Sequence, residues 1–78
     1  MRKKNLLIKR TLQLSREMII LADQGLAVAD DDGCRLLYGV VQDSAYKIRM
    51  EAERERDRHR RAGTWEDEEE LSQGDQDG

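Results

Sequence analysis

Proline and phenylalanine are absent from this chain of 78 residues, cysteine and tryptophan occur once each, and tyrosine twice. Without proline no backbone position is barred from a helix interior. With few aromatic and few β-branched residues, little favours a sheet over helices. The single cysteine, Cys34, forms no intrachain disulfide, so nothing indicates an oxidising compartment. One cysteine and one histidine also fall short of a zinc ligand set. Long apolar runs are missing too. The opening "MRKKNLLIKR" holds three consecutive apolar residues before charge returns, too few for a signal-peptide core or a membrane span. The expectation is a cytoplasmic chain with no membrane contact, no metal and no cofactor.

What is abundant is charge, 40% of residues, and it is unevenly placed. Residues 1–65 carry all 14 lysines and arginines against 10 acids, while residues 66–78 carry seven acids and no base. The net charge of −3 therefore belongs to the tail, and the body is basic. A chain this short supports one small domain with little core.

Apolar spacing predicts two amphipathic helices. In the first, about residues 3–23, Leu7, Thr11, Leu14, Met18 and Leu21 recur by four and three. A second stripe, Ile8, Leu12, Ser15, Ile19 and Ala22, runs beside it and widens the face. Gly25 is placed to end this helix, since glycine adopts the left-handed backbone angle of a helix terminus at no steric cost. In the second helix, about residues 32–61, Cys34, Tyr38, Val41, Ala45, Ile48 and Ala52 recur the same way. Beyond Ala52, "ERERDRHRR" alternates acid and base, so i,i+3 pairs are opposite in sign and i,i+4 pairs alike, and the two nearly cancel. Residues 1–62 are thus expected to form a helical hairpin. Residues 63–78, "GTWEDEEELSQGDQDG", lack the hydrophobicity to offset ordering and are expected to be a disordered acidic tail, with Trp65 in it either a stray aromatic or an anchor for a short linear contact.

The stretch "DDDGCRLLYGVVQDSAYKI" invites a search for a site. A calcium loop needs acids at alternate positions, glycine sixth and glutamate twelfth. Aligning Gly33 as sixth puts Val28 first and Gly39 twelfth, so the loop fails. Asp30, Asp31 or Asp32 instead caps the second helix. Cys34 falls in its first turn, where a helix end lowers a thiol pKa, but the neighbouring aspartates oppose thiolate formation. It reads as a small seam hydrophobe, and no catalytic constellation is visible.

A hairpin gives each helix one contact surface, yet "LLI" and "MIILA" spread apolar groups wider than that. The architecture expected is therefore all-α: an antiparallel two-helix hairpin that dimerises into a four-helix bundle, with a dimer core of Leu7, Leu14, Met18, Leu21, Cys34, Tyr38, Val41, Ala45 and Ile48. Two further surfaces are candidates for binding. Leu36, Gly39, Val40, Asp43, Lys47 and Met50 lie on the second helix away from the seam, where apolar groups mark a protein partner site. Arg2, Lys9, Gln13 and Arg16 give the first helix an outward basic face that could track phosphates.

The layout resembles the Rop family of small plasmid copy-number proteins in hairpin length, in a cysteine early in the second helix (Cys34), and in "DSAYKI" with Asp43, Ala45 and Ile48. The spacing from cysteine to that group departs from the family pattern by a shift. The resemblance implies a four-helix-bundle dimer that binds paired RNA loops through the first helix. "REMIILADQGL" also looks like the start of the short helical-hairpin phosphatases that act on a sporulation response regulator. Their signature Ser-Gln-Glu-Leu-Asp is absent here, since Ser44 is followed by Ala45, Tyr46, Lys47 and Ile48. The functional expectation is a small non-enzymatic regulatory module that contacts itself and another protein, with RNA as the second class of partner.

Overall fold

The computed structural model describes residues 2–65, so most of the expected acidic tail lies outside the described residues. Two α-helices form an antiparallel hairpin: α1, Lys3–Val28, and α2, Asp32–Arg61. Only Ala29, Asp30 and Asp31 join them. No helix among the described residues is long and apolar enough to cross a membrane.

Helix α2 begins where an aspartate can cap it. Asp31 is extended (φ −139°, ψ 165°), and its carboxylate accepts a 2.7 Å hydrogen bond from the Cys34 backbone N–H. That bond favours the ionised form and holds the Asp31 carboxyl below its ordinary range. Asp32 adds a negative charge to the first turn, where the helix dipole welcomes it. The far end closes with the paired bonds of a Schellman turn: Thr64 N–H donates to the His59 carbonyl at 2.9 Å and Gly63 N–H to that of Arg60 at 3.0 Å. Gly63 sits at φ +74°, which glycine reaches without a Cβ penalty.

Helix α1 is less well finished. Its N-cap, Arg2, makes no side-chain capping bond, and its first turn holds no acid. Lys3 and Lys4 stand where the dipole favours anions, so α1 depends on packing against α2. It also runs five residues past the expected end, and Gly25 lies inside it. The reason is the facing helix. The Tyr38 ring lies directly over Gly25, in the space a Cβ would occupy. Gly25 thus serves close approach rather than termination.

Contacts across the hairpin fix its register. Asn5 meets His59, Asp23 meets Gln42, and Gly25 meets Tyr38, so facing positions add up to about 64. The inner seam of α1 follows Asn5, Ile8, Leu12, Ser15, Ile19, Ala22 and Leu26, the second of the two apolar stripes. On α2 it follows Tyr38, Ala45, Ala52 and His59. The fully covered residues are small or polar: Asn5, Ser15, Ala22 and Ala45 are all 0% exposed. Ser15 satisfies its hydroxyl by donating to the Leu12 carbonyl at 2.8 Å.

At the open end the chain stays ordered past the helix, where the sequence predicts disorder from residue 63. Asn5 Nδ2 donates to the Thr64 carbonyl, which leaves Asn5 Oδ1 to accept from His59 Nδ1. Trp65 is buried at 5% exposure, its ring edge-on to His59 at 6.4 Å between centroids. The Schellman turn aims the chain back toward α1, and Asn5 fastens it. Trp65 is therefore an anchor at the foot of the hairpin, not a stray aromatic.

Candidate interaction surface

Each helix carries two seams of four-and-three spacing, about a quarter turn apart. One seam closes the hairpin. The other lies on a single flat face of it and has nothing packed over it among the described residues. On α1 that outer seam is Leu7, Thr11, Leu14, Met18 and Leu21. Leu7, Leu14 and Leu21 are 56%, 54% and 51% exposed, whereas Thr11 and Met18 are half-buried. On α2 it is Cys34, Leu37, Val41, Ser44 and Ile48, with Leu37 more than half exposed and Ile48 36% exposed.

The two outer seams meet over an open groove of about 460 Å³, floored by Ile8, Thr11, Ile48 and Ala52 and edged by Lys47, Glu51 and Glu55. A smaller, more enclosed hollow of about 390 Å³ lies on α1 between Leu7 and Leu14, edged by Arg10 and Glu17. The floor offers methyl and methylene groups with charges along the borders. That arrangement suits another apolar helix.

Of the residues expected in a dimer core, Leu7, Leu14, Met18, Leu21, Cys34, Val41 and Ile48 share this face. Tyr38 and Ala45 do not: Ala45 is fully covered inside the hairpin and Tyr38 packs on Gly25. They sit one position round from the outer seam, which is enough to turn them inward.

The outer face of α2 is also apolar in part. Leu36, Val40 and Met50 are 71%, 54% and 51% exposed, with Asp43 and Lys47 exposed and Gly39 half-buried. Val28, a residue near enough in sequence to cover Leu36, is itself 79% exposed. The expected basic face is less coherent. Arg2 and Arg16 are exposed, but Lys9 is half-buried and Gln13 lies further round the helix. Asp23, seven residues past Arg16, bonds Gln42 of α2 at 3.3 Å. This stripe therefore borders the inter-helix crevice, on the flank opposite the leucines, and does not point straight outward.

Charged pairs stud the open half of α2. Arg54 bonds Glu51 at 3.1 Å and Arg58 bonds Glu55 at 2.7 Å, while Glu53 takes Arg49 at 3.4 Å instead of Arg56. The Arg58 hydrogen bond lowers the Glu55 carboxyl and the Glu55 carboxylate raises the Arg58 guanidinium. Cys34 is half-buried, and among the described residues no group of three or more His, Cys, Asp or Glu converges as a metal site. The feature that sequence reading missed is the Asn5–His59–Trp65 clasp. Only Gly63, a helix-stop signal, hinted that the chain turns there.

No protein-family model matches this chain, and neither does any curated protein or solved structure.

Proposed function

We propose that this chain is a small non-enzymatic interaction module whose working unit is a pair of hairpins, joined through their leucine-bearing faces into a four-helix bundle. One observation carries the reading. Along its inner seam the hairpin fully covers only small or polar residues and half-buries Ile8, Leu12, Ile19 and Leu26, while Leu7, Leu14 and Leu21 stay more than half exposed on a second seam of helical spacing. Pairing hairpins covers that seam, and two seams a quarter turn apart on every helix is the pattern such a bundle requires. Leu7, Leu14, Met18, Leu21, Val41 and Ile48 supply the contact.

The paired unit presents the α2 outer face, Leu36, Gly39, Val40, Asp43, Lys47 and Met50, to a protein partner and acts as a regulatory adaptor in the cytoplasm. Equilibrium sedimentation tests the core of this reading: the expected mass is about 18 kDa, twice the 9.1 kDa chain. Leu14→Glu with Leu21→Glu should return it to one chain. A single-chain mass for the unaltered protein at micromolar concentration rejects the proposal. Val40→Glu should leave that mass intact while abolishing partner binding. An RNA-binding dimer would instead retain paired RNA in a salt-dependent manner and lose it on Arg16→Glu.

A further inference from the structure

The apolar character of the outer seam changes along the hairpin. Near the loop the facing levels are Val28 with Leu37, then Leu21 with Val41, then Leu14 with Ile48. Toward the open end they become Thr11 with Glu51 and Leu7 with Glu55, the latter paired to Arg58 at 2.7 Å. A second hairpin can lie on this face with its loop at the same end or at the opposite end. The two choices bring different levels together.

We infer that two copies of this chain stack with their loops at the same end, α1 of one against α2 of the other. The inference rests on the paired-hairpin reading above. With loops together, each level meets its own level: Leu14 faces Ile48 of the second copy, and Leu21 faces Val41. The apolar half packs dry, and the carboxylates of Glu51 and Glu55 stay at the hydrated end. Reversing one hairpin sets Val41 and Leu37 against Glu55 and Arg58, so charged groups lose water without gaining a partner. The borders agree. Glu17 edges the hollow beside Leu14, and Lys47 edges the groove beside Ile48. In the inferred stacking they lie at the same level on adjoining helices and form two opposite-charge pairs per dimer.

The test uses the full chain carrying Cys34→Ser and Asp30→Cys, so that the only thiol sits on the exposed loop, away from the apolar face. Donor- and acceptor-labelled chains are mixed, and energy transfer is read together with mass. Loops at one end give strong transfer in a species of dimer mass. Loops at opposite ends stand apart by about the length of α2, 30 residues or roughly 45 Å, and transfer is then weak. Weak transfer in a dimer overturns the stacking and leaves the dimer reading standing. A single-chain mass removes the dimer reading itself.

Discussion

Asn5 and His59, 54 residues apart in the chain, share a hydrogen bond at the open end of the hairpin, with both side chains buried. The same asparagine holds the Thr64 carbonyl. One side chain thus ties the start of α1 to the end of α2 and to the residue before Trp65. Asn5→Ala should leave a buried imidazole nitrogen and a carbonyl without partners, at a cost of about 1–3 kcal/mol. Chemical denaturation followed by circular dichroism measures it. An unchanged midpoint would show that water replaces the amide.

Trp65 is the sole tryptophan, so its emission reports on the clasp alone. Emission should be blue-shifted in the intact protein and move red on Asn5→Ala or His59→Ala. Trp65→Ala should destabilise by about 2–4 kcal/mol, toward the lower range for a buried aromatic because it lies at the edge of the fold. Emission typical of full exposure in the unaltered chain contradicts the clasp.

The two mid-helix glycines should respond oppositely to alanine. Within an α-helix, Gly→Ala is worth about 1 kcal/mol in favour of folding. Gly39→Ala should gain up to that amount, since nothing lies within 4 Å of the added Cβ. Gly25→Ala should lose about 1–3 kcal/mol, because the methyl group lands on the Tyr38 ring and the helices must part. Equal shifts of the same sign in thermal melts would refute the close approach of Tyr38.

Acid should weaken the start of α2. The folded Asp31 carboxyl is lowered from an ordinary 3.8, so its capping stability is complete above that value and is lost as pH falls through the lower folded value. Asp31→Asn keeps a capping oxygen and should melt close to the parent at neutral pH, while Asp31→Ala should melt lower. Both variants should have a flatter acid limb than the parent. Retention of the full acid limb in Asp31→Ala would assign it to other carboxylates.

Concentration should raise the thermal midpoint if two chains melt together. Diluting the protein a hundredfold from tens of micromolar should lower its midpoint by several degrees. Leu21→Glu should remove that dependence, with helix content reduced because an isolated hairpin buries little apolar surface. A midpoint independent of dilution argues for a self-sufficient hairpin.

Local signals in the sequence were enough to place α2, because both of its ends are marked locally: aspartates before Gly33 at one end and Gly63 at the other. The end of α1 was not readable in the same way. Gly25 has the look of a stop, but its role is set by Tyr38, thirteen residues away and on the other helix. The choice of inner seam was equally hidden. Both stripes of α1 have the same spacing, and what decides between them is that Ser15 falls between the levels of Ala45 and Ala52, and Ala22 between those of Tyr38 and Ala45, letting the backbones come near. Patterns of hydrophobicity rank leucines above alanines and do not say which of the two stripes closes the hairpin. Trp65 sat in a polar context that gave no sign of burial.

A turn of only three residues between the rods means that the chain separation between cross-hairpin neighbours climbs steadily from loop to foot. Zippering from the loop is therefore the cheap route to assembly, and the terminal knot of asparagine, imidazole and indole closes last, against the largest entropy of closure. Amide exchange should run as a gradient down both rods, slowest around Ala22 and Ala45 and faster beyond Ile8 and Ala52, with the knot acting as a brake on fraying at the foot.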